Sequence, residues 1–146
     1  MELSCKSEYA LLAMFALAQN FSSGEPLQIK SIATQQGIPE RYLEQLLATL
    51  RRQGLVRSLR GAKGGYLLGR EPWTIQLFEI IEAIEGGEAS KQRNASGKVE
   101  TPEHDILQDT WAEVRSAANA VLQKYTLQDL CDLRAQRQRA NVMYYI

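Results

Sequence analysis

The sequence predicts a mainly α-helical fold, and three observations carry that expectation. Two short amphipathic patterns, 29–36 and 40–53, meet at Gly37, and glycine ends a helix readily because it adopts left-handed backbone without steric cost. Directly behind them, Arg57–Arg70 holds two short apolar runs joined by a turn rich in cations and in glycine, at 61, 64 and 65. Further on, Leu107, Trp111, Val114, Ala118, Val121 and Tyr125 alternate spacings of four and three, the a/d seam of a helix made for a partner. Helix, tight turn, helix and basic hairpin make a winged helix-turn-helix domain with a small β-hairpin wing; the seam adds a long dimerisation helix.

The 146 residues are 45% hydrophobic, enough for one core with an appendage. Lysine plus arginine and aspartate plus glutamate each number 17, so net charge says nothing about partners. The distribution does. Residues 41–70 hold seven cations and one acid, whereas residues 71–146 hold eight cations and twelve acids. A basic block on an otherwise acidic chain is the electrostatic footprint of a polyanion binder. Cys5 and Cys131 outline no disulfide framework, which predicts reduced thiols and a cytoplasmic setting. The apolar run Tyr9–Ala18 follows Glu2, Lys6 and Glu8 rather than a cationic leader, and its ten residues are too few to span a bilayer. It reads as a buried helix, with no membrane contact expected.

Taken in order, 4–19 is predicted helical with Ser4 or Ser7 as its cap, apolar on nearly every face from Ala10 to Ala18. Asn20–Pro26 reads as a loop and Leu27-Gln28-Ile29 as a short extended piece. After Gly37, Ile38-Pro39 restarts the chain. Tyr42, Leu43, Leu46, Leu47 and Leu50 form the inward face of the next helix, which Gly54 ends. Thr74–Ile84 reads as a helix capped by Thr74 and stopped by Gly86-Gly87. From Gly86 to His104 small and polar residues dominate, which predicts a flexible loop. The seam helix covers 105–125, Thr126 caps a last helix over 127–139, and the apolar terminus Asn141–Ile146 suits docking on a partner surface. The predicted division is 1–85 as the winged domain, 86–104 as the loop at the sensor position, 105–125 as the dimerisation helix and 126–146 as the C-terminal helix and tail.

The second helix of the pair exposes Arg41, Glu44, Gln45, Ala48 and Arg52, side chains suited to base edges or phosphates around a small alanine that permits close approach. Arg57, Arg60, Lys63 and Arg70 put four positive charges on or beside the hairpin with no acid among them, a finger suited to a phosphate backbone or a minor groove. A solvated amphipathic helix would explain the helix alone, but not the glycine turn and the cationic wing as well. The predicted partner is double-stranded DNA, as a palindromic operator read by a homodimer. No enzyme is predicted: Gly61–Gly65 lacks the phosphate-loop order, and a single histidine offers no Ser–His–Asp set.

These residues also resemble a known family. Met1–Ala18, Ile32-Ala33, Gln36–Leu47, Leu50–Arg52, Gly54–Val56 and Arg60–Tyr66 resemble the BadM/Rrf-type bacterial transcription regulators. That family includes an iron–sulfur cluster regulator, a nitric-oxide-sensing repressor and a regulator of cysteine metabolism. The resemblance covers nearly the whole chain and is most specific where the Tyr-Leu-Glu-Gln-Leu helix precedes the Arg-Gly-x-x-Gly-Gly-Tyr wing. It implies a helix in the major groove with base contacts from Arg41, Glu44 and Gln45, a minor-groove role for Arg60, and dimerisation through 105–125. Arg57, Lys63 and Arg70 are then left as phosphate contacts.

The chain departs from the family at the sensor. Cluster-binding members carry three cysteines in the loop before the dimer helix, and Gly86–His104 has none. No cofactor is therefore predicted. Two alternatives stay open: an iron–sulfur cluster built across a dimer from the atypical ligands Cys5, Glu8, His104 and Cys131, and a regulator working through a protein partner, as the cysteine-metabolism members do. Glu8 reads more simply as a first-turn acid, and the two cysteines as small reduced side chains.

Overall fold

A computed structural model describes residues 3–95 and 100–144 of the chain, with the side chains of 87–95 left aside. Ser4 opens α1 (Cys5–Gln19), its hydroxyl accepting the Ser7 N–H at 3.2 Å and satisfying one orphan donor of the first turn. The all-round burial expected of this helix is observed: Ala10, Ala13 and Met14 are fully buried and Leu17 nearly so. α1 is the post on which α2 (Ile29–Gln36), α3 (Glu40–Arg52), α4 (Leu77–Ala95) and α6 (Leu127–Tyr144) all pack. The hydroxyls of Ser4 and Ser7 both donate to Glu85 Oε1 at 2.7 Å, pinning the start of α1 to α4.

α2 stops at Gly37, whose φ of 65° is the left-handed turn that the sequence required there. Pro39 precedes α3, and Leu43, Leu46, Leu47 and Leu50 are all buried. Each such leucine contributes about 1.5–3 kcal/mol on burial, so this row decides which face of α3 points outward. Tyr42 meets Tyr9 of α1 edge to face, with ring centroids 5.6 Å apart. The wing follows as an antiparallel pair, β1 (Val56–Leu59) and β2 (Gly65–Leu68), in the register Val56↔Leu68 to Leu59↔Gly65.

Before α6, two boundaries differ from expectation. Thr74 does not cap α4. It closes a single 3-10 turn, Pro72–Thr74, and its hydroxyl donates to the Glu71 carbonyl at 2.7 Å. The backbone then runs extended so that Leu127 N–H bonds Ile75 O and Leu77 N–H bonds Tyr125 O, both at 3.0 Å. The second difference is the expected loop 86–104. α4 continues through Gly86-Gly87 to Ala95, and α5 (Pro102–Lys124) begins with Thr101 accepting the His104 N–H at 3.2 Å. Two helical glycines cost about 1 kcal/mol each relative to alanine. Buried Ile80 and Ile84 anchor the helix upstream, and good helix formers follow, so it carries on. Residues 96–99 of that segment, and Tyr145-Ile146 of the tail, lie outside the described residues.

α6 opens with a reciprocal cap: Thr126 N–H donates to Asp129 Oδ2 at 2.8 Å, and Asp129 N–H to Thr126 Oγ1 at 3.2 Å. Leu127 is buried in the core, beyond which α6 is largely exposed and runs to Tyr144 rather than ending near 139. α5 contains no buried residue at all.

Candidate nucleic-acid interface

With its leucines in the core, α3 turns Arg41, Glu44, Gln45 and Arg52 outward, all exposed, around half-buried Ala48. The spacings place them along one helix face. Arg41, Glu44 and Gln45 have no side-chain hydrogen bond or ion pair among the described residues, so their donors and acceptors are open to a ligand. Arg52 Nη2 donates to Thr49 Oγ1 at 3.1 Å, which orients it along the helix. A shallow hollow of about 360 Å³ lies beside this face, lined by Lys6, Tyr42, Gln45, Thr49, Arg52 and Ile84 among others.

The wing carries Arg57 on β1 and Arg60 and Lys63 in its tip, all exposed and likewise without an internal partner among the described residues. Three contacts hold the wing at a set angle. Leu27 and Tyr66 exchange backbone hydrogen bonds at 3.0 and 2.7 Å, so the expected extended piece forms a bridge at the edge of the hairpin. Gly65 makes that approach, since a Cβ there would collide with the Leu27 carbonyl. Arg51 Nη1 donates to Ser58 Oγ at 3.1 Å, tying the last turn of α3 to β1. The sequence reading gave Arg51 no role and had no signal for the pairing.

One wing cation is placed differently from expectation. Arg70, read as a phosphate contact, has its guanidinium committed to Glu79 and to the Thr74 carbonyl. Arg70 follows β2 and Glu79 lies nine positions on, in α4, so no sequence periodicity could reveal the pair.

Of the seam residues, Leu107, Trp111 and Val121 on α5 and Tyr125 at its C-cap are exposed, between 42% and 61%, and Val114 and Ala118 are half-buried. Ile106, absent from the predicted seam, is more exposed still.

The atypical ligand candidates lie on three helices. Cys5 and Glu8 are exposed on α1, His104 is exposed in the first turn of α5, and Cys131 is half-buried on α6 against the core. Burial pushes the Cys131 thiol up, Asp132 adds to the rise, and Arg134 opposes it. Cys5 in turn raises the neighbouring Tyr9 hydroxyl. Among the described residues no three His, Cys, Asp or Glu side chains stand together as a metal-ion group. The described donors of a single chain therefore do not come together as the ligand set of a cluster. No helix among the described residues is long and apolar enough to cross a membrane.

Comparison with known proteins bears on this geometry. The Rrf2 profile, described as iron-dependent transcriptional regulator, matches residues 3–133. The HTH-type transcriptional regulator CymR of Bacillus subtilis is 38% identical over 144 residues, covering 99% of both chains. The regulator IscR of Cronobacter sakazakii is 35% identical over 130 residues, covering 89% of this chain and 80% of its own. Among solved structures, T. potens IscR superposes with a TM-score of 0.78 at 39% identity over 94% of this chain and 91% of that one. CymR, the global cysteine regulator of B. subtilis, gives 0.74 at 38% identity over 91% and 98%.

Proposed function

The chain belongs to the Rrf2 family of transcriptional regulators, and on that footing we propose how it reads DNA: as a homodimer on a palindromic operator, each α3 in a major groove and each wing tip in the adjoining minor groove. That it is a DNA-binding transcription regulator of winged-helix fold follows from the family. Arg41, Glu44 and Gln45 take the base edges, Arg60 enters the minor groove, and Arg52, Arg57 and Lys63 hold phosphates. The observation that carries this reading is the pairing of two open polar surfaces on one rigid mount. Arg41, Glu44 and Gln45 on α3 and Arg60 and Lys63 in the wing tip lack internal side-chain partners among the described residues, and the Leu27–Tyr66 bridge with the Arg51–Ser58 bond fixes one surface against the other.

The dimer rests on the seam of α5, of which Leu107, Trp111 and Val121, with Tyr125 just after the helix, are exposed. The protein acts by binding rather than by catalysis, in the cytoplasm with its DNA. Fluorescence anisotropy with operator duplexes tests the reading. Arg60→Ala weakens binding by roughly 1–3 kcal/mol, about 5- to 150-fold. Equal affinity of wild type and Arg60→Ala for every duplex tried would overturn it.

A further inference from the structure

We propose that the groove between α6 and the α1–α2 pair binds a small amphipathic carboxylate, its charged head held by Arg134 and Arg137 and its apolar body laid on α1. The groove measures about 710 Å³, within the ordinary range of a small-molecule site. No residue of α3 or of the wing lines it, so the inference stands apart from the DNA reading.

One face of α6 builds the outer wall. Leu127 roots the helix in the core, and Leu130, Leu133, Arg134, Arg137, Gln138 and Asn141 then recur at helical spacing along a single side. The facing wall is Leu12 and Phe15 of α1, with Gln35 and Gln36 in the last turn of α2. Leu12, Phe15 and Leu130 are half-buried and Leu133 is 45% exposed, so the floor is apolar and still open to solvent. Arg137 lies about 10 Å beyond Leu130 at 1.5 Å per residue, which sets the length of apolar body that reaches the floor while its head meets the guanidinium.

Charge decides the class of ligand. No acid lines the groove among the described residues. Among those residues Arg137 has no side-chain hydrogen bond or ion pair, and Arg134 has only a 3.4 Å bond to Gln138. The acids at the start of α6 turn elsewhere. Asp129 accepts the Thr126 N–H, Asp132 accepts from Gln128 at 2.9 Å, and both border a separate hollow of about 370 Å³ beside Lys124. Two guanidinium forks one helical turn apart above an apolar floor suit a planar carboxylate, which accepts two parallel N–H bonds. The C-terminal end of α2 adds partial negative charge at the rim, which favours a singly charged head over a phosphate carrying two charges.

Isothermal titration calorimetry of the full chain with decanoate tests this, alongside decanamide, butyrate and decyl phosphate. The expected result is saturable binding of decanoate, one molecule per chain, roughly tenfold or more tighter than any of the other three. Arg134→Gln with Arg137→Gln is expected to weaken decanoate roughly tenfold or more, whereas Arg139→Gln, which removes an α6 cation outside the groove, leaves it unchanged. All three arginines are exposed, so the variants are expected to keep the helical circular dichroism of the wild type. Absence of saturable decanoate binding would overturn the proposal. So would an equal loss in Arg139→Gln, which means adsorption on cations at large, or equal binding of decanamide, which means an apolar groove without recognition of the head. Tighter binding of decyl phosphate would give the site to a phosphate ester and overturn the carboxylate assignment. A double variant that binds decanoate as before, yet shows a shallower salt slope with DNA or a changed oligomeric state, would assign the two arginines to DNA phosphates or to a second copy and overturn the proposal likewise.

Discussion

The Arg70 guanidinium closes on Glu79, its Nη2 donating to both carboxylate oxygens at 2.9 and 2.8 Å, while Glu79 Oε2 also accepts the Gln76 N–H at 2.9 Å. One acid thus caps the start of α4 and neutralises the cation that follows β2. Arg70→Ala is therefore expected to leave the salt dependence of DNA binding unchanged, whereas Lys63→Ala or Arg57→Ala lowers the slope of log K against log salt by about 1. The Arg70 pair is partly exposed, so its loss costs no more than about 1 kcal/mol of stability. A slope reduced by Arg70→Ala as much as by Lys63→Ala would return Arg70 to the phosphate contacts.

Gly65 sets the wing against Leu27. In Gly65→Ala the added methyl meets the Leu27 carbonyl at a backbone φ of 155°, and the hairpin has to shift. The expected result is operator affinity reduced at least tenfold with helical circular dichroism retained, because the core of α1, α3 and α4 does not include Gly65. Unchanged affinity would mean that the wing angle is immaterial.

Trp111→Glu puts a charge in the middle of the exposed seam. Sedimentation velocity is expected to show a monomer at concentrations where the wild type is dimeric, with unfolding little changed because α5 buries no residue in its own chain. A dimer that persists would place the interface elsewhere.

The two thiols should part in reactivity. Cys5 is exposed, whereas Cys131 is half-buried and its pKa is raised by burial. Near neutral pH an alkylating reagent is expected to label Cys5 first. Labelling of Cys131 should climb as pH rises, since only the thiolate attacks. Equal rates at neutral pH would contradict the packing of Cys131 against the core.

What the sequence disclosed, and what it did not, follows from the range of each signal. Gly37 and the leucines of α3 act within a few residues, so the helix-turn-helix was legible, and the glycine-rich turn marked the wing equally well. The Leu27–Tyr66 bridge, the Arg51–Ser58 tie and the Arg70–Glu79 pair join distant segments, and no local pattern encodes them. Gly86-Gly87 misled because a helix anchored by Ile80 and Ile84 outweighs the cost of two glycines. Thr74 misled because its hydroxyl bonds the Glu71 carbonyl instead of a helical N–H. On α5 the sequence shows the four-three spacing of its apolar residues. Which of its residues stay uncovered was not legible, since the half-burial of Val114 and Ala118 depends on the folded chain.

The central claim, a paired head reading two half-sites, is tested most directly by letting the wild-type protein select duplexes from a random pool. The account predicts enrichment of one inverted repeat with half-site centres about 34–36 Å apart, or a multiple of that spacing. Enrichment of a single unrepeated half-site, or of no sequence at all, would contradict it.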